Sequence, residues 1–281
     1  MGLYDREYRA PNRFMNPRLL IALAIAAFSV ISYMMKSQLN PVTGEKQRIG
    51  MTARDEIVLG LQAAPQMAGQ HGGRSSDAQA QAKVSEIGNR IVSNSDAHKG
   101  PYQFQFHLLA DSQTINAFAL PGGQVFMTEG LYRKLTTSGQ VAGVLAHEIG
   151  HVVGRHGAEH LAKAQLTQGL TGAAVMATYD PNRPGTRNAA LIAAAVGQLV
   201  NLKYGRADES ESDTLGVKYM VQAGYDPHSM LKVMEVLRDA GKGPRQPEFL
   251  STHPDPGNRL QQIQENIKQL YPSGLPPGLE A

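Results

Sequence analysis

The chain has 281 residues, 42% of them hydrophobic and 18% charged, with a formal net charge of +3. That composition fits one sizeable globular domain with appendages and excludes a largely disordered chain. The absence of cysteine excludes disulfides, thiolate metal ligands, a cysteine nucleophile and a lipid-modified N-terminal cysteine, and the small charge, without a basic patch interleaved with aromatics, gives no support to nucleic-acid binding.

The first element is Leu19 to Met35, an uncharged apolar run of 17 residues. As a helix it is about 26 Å long, at the short end for crossing a bilayer. A cleaved signal peptide is the rival reading, but Lys-Ser-Gln-Leu-Asn-Pro follows and a small-x-small cleavage site does not. An uncleaved signal-anchor is expected. Arg6, Arg9, Arg13 and Arg18 place residues 1–18 on the cytoplasmic side. The rest of the chain then faces the periplasm of a bacterial inner membrane, or the equivalent side of an organelle inner membrane. Residues 36–75, with Pro41, Gly44, Pro65 and a Gly-Ser-rich end, read as a juxtamembrane connector in which His71 is a solvated loop residue.

From Ser76 an amphipathic helix is expected, with Val84, Ile87, Ile91 and Val92 on one face. Tyr102 to Leu109 alternates like a half-buried strand, and residues 114–128 read as a hairpin turning at Pro121-Gly122-Gly123. A short helix from Glu129 to Lys134 and a long one from Ser138 complete a strand-then-helix order. That order predicts an α+β domain, mainly helical with a small β-sheet, over residues 76–271, followed by a tail, 272–281.

The long helix carries Ala146-His147-Glu148-Ile149-Gly150-His151. Positions i and i+4 lie one turn apart on one face. His147 and His151 can therefore ligate one zinc ion, with Glu148 at the open coordination position, where a carboxylate can take a proton from zinc-bound water. The flanking run is apolar on both sides, and a polar cluster in an apolar helix is costly unless a partner such as a metal satisfies it. His156 and His160 just beyond are expected beside the site or on the surface; His98, His107 and His228 lack ligand context.

Two apolar stretches, 166–178 and 188–200, flank a turn at 179–185. Each is too short to span a bilayer. They read either as packed core helices or as a membrane-facing or lid pair. Helices broken at Gly224 to Pro227 and between Gly241 and Pro256 fill the remainder to Tyr271.

A catalytic zinc needs a third protein ligand. Arg206-Ala-Asp-Glu-Ser-Glu-Ser-Asp213 is the richest acidic segment. Glu209 and Asp213 are one helical turn apart, so Glu209 can bind zinc while Asp213 orients a ligand imidazole. The plain alternative is a solvated acidic helix start, which suits Glu211 best.

His147-Glu-Ile-Gly-His151 with Val-Val-Gly-Arg-His156, Arg206-x-x-Glu-x-x-x-Asp213, Asn116-Ala-Phe-Ala-Leu-Pro-Gly-Gly123 with Gly130-Leu131, and Thr252-His-Pro-Asp-Pro-Gly-Asn-Arg259 together resemble the HtpX/BepA-like gluzincin metallopeptidases, relatives of the CAAX prenyl proteases and the Oma-type mitochondrial proteases. The resemblance runs from about residue 76 to about 271. It implies a zincin-type fold, Zn2+ as cofactor, Glu209 as third ligand and His253 on a loop near the metal, able to cap the open position. Ser212 departs from the usual Ala before Asp213, and no C-terminal repeat domain is evident, so partner binding through such repeats is not expected.

The expected function is a membrane-anchored zinc metalloendopeptidase acting on misfolded or membrane-proximal proteins in envelope quality control. Glu148 is the general base, with His253 or Arg206 as the second oxyanion donor and the strand 123–128 as an edge for extended peptides. The competing expectations are a membrane-tethered chaperone or binding module with a seldom-active metal site, and a zinc hydrolase of non-peptide amides.

Overall fold

The computed structural model describes residues 17–178, 203–243, 246–254 and 257–281. The arginines at 6, 9 and 13, the turn 179–185 and the stretch 188–200 lie outside them. Helix α1 (Pro17–Met35) is long and apolar enough to cross a membrane, and Ala22 is its one buried residue. A two-stranded ribbon follows, β1 (Gln38–Leu39) antiparallel to β2 (Lys46–Gln47).

The expected connector is more ordered than its composition implied. It holds an 18-residue helix, α2 (Ala53–Gln70), started by a capping box between Thr52 and Asp55, with Pro65 inside it. Helix α3 (Ala78–Asn94) begins at the cap Asp77 and buries Val84, Ile87 and Ile91. Strands β3 (Gln105–Leu109), β4 (Ala117–Leu120) and β5 (Gln124–Thr128) form a sheet of order β3-β5-β4, with β3 parallel and β4 antiparallel to β5. The hairpin thus joins β4 to β5, with Phe118 opposite Phe126.

Two expectations fail for one reason. β3 is buried from Phe106 to Leu109 and is not half-exposed, and His71 is 8% exposed, its ring tilted against Phe118. Helix α2 covers the sheet face that the alternation in β3 leaves to solvent: Met67 packs with Leu109, Phe118, Leu120 and Phe126. The other face, with Phe106, Leu108, Ala117, Val125 and Met127, joins the main core built by α3 and the metal-motif helix. A third correction concerns β5. It is the central strand, so the free edge belongs to β4.

A short α4 (Glu129–Tyr132) precedes α5 (Ser138–Val153), whose start is a capping box between Thr137 and Gln140. Every residue of α5 after Ser138 is buried. An all-round apolar helix belongs in the centre of a core, and α5 packs against α3, β4, α7 (Arg206–Gln222) and α8 (His228–Ala240). α7 comes especially close: a Cβ on Gly150 would stand 2.9 Å from Ser212 O, so glycine at that position sets the distance between α5 and the acidic helix. α9 (Glu248–Thr252) and α10 (Arg259–Leu270) close the domain. α6 (His156–Thr178) leaves the core and packs along α1.

Candidate metal centre

α5 presents His147 and His151 on one face, α7 presents Glu209 and Asp213 one turn apart, and the end of α9 presents His253. All five are at most 2% exposed. One donor atom from each of His147, His151, Glu209 and His253 lies within 4.8 Å of the others. Neighbouring donor atoms stand 3.0–3.4 Å apart. His147 Nε2 is 3.0 Å from His151 Nε2 and 3.3 Å from His253 Nδ1. Glu209 Oε1 is 3.0 Å from His253 Nδ1 and 3.4 Å from His151 Nε2, and Glu209 Oε2 is 3.4 Å from His147 Nε2. Four donors at 2.0–2.1 Å around a tetrahedral divalent ion stand ~3.3 Å apart.

Charge gives the same answer. Glu148, Glu209 and Asp213 face one guanidinium, that of Arg259. Three buried carboxylates gathered around imidazoles make a site that a bound cation would stabilise. Burial and the neighbouring cations disfavour charge on His151 and hold its pKa well below the usual value, leaving a neutral imidazole. Burial alone would raise Glu209; the imidazoles of His253, His147 and His151 reverse that and keep it ionised. A neutral imidazole and an ionised carboxylate are the forms that bind a metal. The residues present fit a metal ion.

The nitrogens remote from the cluster have different supports. His147 Nδ1–H donates to Asp213 Oδ1 (2.9 Å), and Arg259 holds that carboxylate from Nε and Nη2, at 2.8 Å each. Arg259 Nη1 is also 3.0 Å from Glu209 Oε2, an ion pair by distance whose alignment is too poor for a hydrogen bond. His151 Nδ1–H donates to His156 Nδ1 (2.8 Å), and His156 Nε2–H donates to Glu211 Oε2 (3.0 Å). The tautomers follow because each Nε2 of the ligand pair faces the other donors. His160 Nε2 lies 2.8 Å from Asp208 Oδ2, and Tyr204 stacks on His151 with centroids 3.8 Å apart.

Glu148 is fully buried, and neither carboxylate oxygen has a hydrogen-bond partner. Burial pushes its pKa up. Its Oε1 is 3.5 Å from His253 Nε2. A cleft opens beside the cluster, lined by Met67, Phe118, Leu120, Tyr204, Glu248 and His253. The sheet edge β4 therefore forms one wall, and the metal-side histidine the other.

Of the residues singled out from sequence, His147, Glu148, His151, Glu209, Asp213 and His253 come together. Arg206 does not: it is exposed at the first residue of α7, and the guanidinium that reaches the cluster is that of Arg259. Arg259 stood in the last motif without a role. Its signal was an arginine opening an amphipathic helix, six residues after a candidate ligand. Glu211, expected in solvent, has its side chain only 22% exposed and supports His156.

Beta-barrel assembly-enhancing protease of Escherichia coli is 32% identical over 200 residues, covering 67% of this chain and 39% of that protein. Mitochondrial metalloendopeptidase OMA1 of Schizosaccharomyces pombe is 33% identical over 184 residues, covering 65% and 51%. The bovine mitochondrial metalloendopeptidase OMA1 is 34% identical over 179 residues, covering 59% and 32%. The chain thus spans between about a third and a half of the length of these curated relatives. Peptidase family M48 matches residues 78–267, a span that contains every residue of the buried cluster; the chain belongs to that family.

Proposed function

We propose that this chain is a membrane-anchored zinc metalloendopeptidase that hydrolyses peptide bonds of unfolded or membrane-proximal proteins on the periplasmic side of a bacterial inner membrane, or its organelle equivalent. The observation that carries the reading is the pairing of a four-donor buried cluster with a carboxylate whose two oxygens lack partners. His147, His151 and Glu209 hold the ion; two imidazoles and a carboxylate suit zinc. Zinc, when bound, supplies a Lewis acid for the scissile carbonyl and a water that ionises near neutrality.

Glu148 does the proton work. Its carboxylate accepts a proton from the attacking water as the new C–O bond forms, and returns it to the amine nitrogen as the C–N bond breaks. Asp213, clamped by Arg259, orients His147. β4 offers its edge to an extended peptide, which fixes register through backbone hydrogen bonds and asks little of side-chain sequence.

His253 sits where a fourth donor belongs. It caps the site at rest, and substrate displaces it; its ring is then placed to donate to the oxyanion. The same feature supports a second reading, a tethered binding module that seldom cleaves. Metal analysis with a casein-cleavage assay on wild type and Glu148→Gln separates the two. The enzyme reading expects stoichiometric zinc in both proteins and chelator-sensitive cleavage in wild type alone. Equal cleavage by both would remove Glu148 as the base; zinc without any cleavage would favour the binding module.

A further inference from the structure

α6 runs out of the core and along α1. Gln165 Oε1 accepts from Lys36 Nζ at 3.0 Å, and a Cβ on Gly169 would collide with Ser29. Residue 165 is thus level with 36 and residue 169 with 29, so the two helices are antiparallel. Lys163 is the last charged side chain before Asp180; from Leu166 to Thr178 α6 carries none. Leu170, at the depth of Phe28, is 40% exposed, and Phe28 is 73% exposed. At the domain end of the pair Arg48 lies over the ring of Tyr33, 5.6 Å from its centroid, its backbone N–H is 3.5 Å from Glu159 Oε1, and Lys163 Nζ is 3.9 Å from the same carboxylate, with Lys36 on the Gln165 side. An aromatic ring with cationic side chains at one level, and uncharged helix beyond it, is the arrangement found at a headgroup boundary. A glycine at the crossing is how helices pack closely inside lipid.

We propose that α6 enters the bilayer beside α1, so that the lipid-facing surface is a pair of helices. The inference rests on the reading of α1 as a membrane anchor. It sets the height of the metal centre. His156, which supports His151, is the first residue of α6, nine residues before the boundary at Gln165. At 1.5 Å per residue the centre stands about 14 Å above the headgroups. Chain segments emerging from or lying on the membrane surface are then the substrates within reach, and a rigid helix, continuous from the lipid to the partner of a metal ligand, holds that distance.

The cysteine-free chain makes a direct test available. Single cysteines at Lys83, Phe28 and Leu170 are placed in the full chain in native membranes and exposed to a membrane-impermeant maleimide before and after detergent. The expected result is prompt labelling of Lys83→Cys in both conditions, with Phe28→Cys and Leu170→Cys at least tenfold slower until detergent is added. Protection of Phe28→Cys with free labelling of Leu170→Cys would overturn the proposal and leave the anchor standing. Free labelling of both would overturn the anchor as well. A short bis-maleimide should also join Lys36→Cys to Gln165→Cys in membranes; protected Leu170→Cys without that cross-link would refute the helix pair.

Discussion

Arg155 ends the metal helix in a left-handed conformation, φ +56°, and is 5% exposed. Its guanidinium donates to Glu56 from Nε at 2.8 Å and from Nη2, to Gln38 Oε1 at 3.0 Å and to Met51 O at 3.1 Å. Tyr102 OH donates to the other Glu56 oxygen at 2.9 Å. Nearby, Asn40 Nδ2 donates to Val153 O at 2.7 Å, and Gln47 Nε2 to Gly154 O. The segment between α1 and α3 therefore caps the C-terminal carbonyls of the helix that carries His147 and His151. Arg155→Ala leaves Glu56, 1% exposed, as a buried carboxylate with Tyr102 as its remaining partner. Breaking a buried pair from one side costs about 3–5 kcal/mol, a drop in Tm on the order of 10 °C for a domain of this size. Burial already raises Glu56 from 4.5, and losing Arg155 raises it further. A carboxyl with a raised folded pKa favours the fold at low pH and loses that advantage as pH rises, so the deficit should grow between pH 5 and pH 8. Adding Glu56→Gln should recover part of the loss, because a neutral amide costs less to bury than an unpaired carboxylate. Thermal unfolding by circular dichroism in detergent reads all three variants. An Arg155→Ala Tm within about 2 °C of wild type, or a double variant less stable than Arg155→Ala, would refute the argument.

Three further outcomes are expected. His156→Ala should weaken metal affinity by about 10–100-fold in chelator competition, since an outer partner fixes the orientation of His151, while Glu211→Gln, one step further out, should cost less; equal affinity in His156→Ala and wild type would contradict the chain from His151 through His156 to Glu211. His253→Ala should raise basal casein cleavage if His253 caps the metal, and an unchanged or lower rate counts against the cap. Burial works against ionised Asp111, but hydrogen bonds from Thr114, Gln113 and His71 hold its pKa down to about 2; the depressed value contributes about 2 kcal/mol above pH 4 that is lost as pH falls through 2. Wild type should accordingly exceed Asp111→Asn in stability at pH 6 and match it near pH 2, and a gap that persists in acid would show that the carboxylate charge is not its source.

The local chemistry of this protein was legible in its sequence. His147 and His151 share a helix face by spacing alone, with Glu148 next to His147 in the motif, and the start of that helix near Ser138 agrees with the structure. The break at Gly224 to Pro227 and the turn at Gly122-Gly123 bound their elements as composition predicts. Beyond the helix, spacing made Glu209 a candidate because it shares a face with Asp213, but left a solvated helix start open; family resemblance singled Glu209 out and added His253. Tertiary structure decided the rest. α2 covers the second face of the sheet, which buries β3 and His71 and turns an apparent connector into part of the core. The strand order β3-β5-β4 moves the free edge from β5 to β4. Arg259 and not Arg206 enters the centre because α10 starts beside Asp213, while Arg206 is exposed at the start of α7. The physical reason is common to these cases: spacing along the chain specifies which side chains share a face, whereas burial and charge compensation depend on which surface a different element brings against that face.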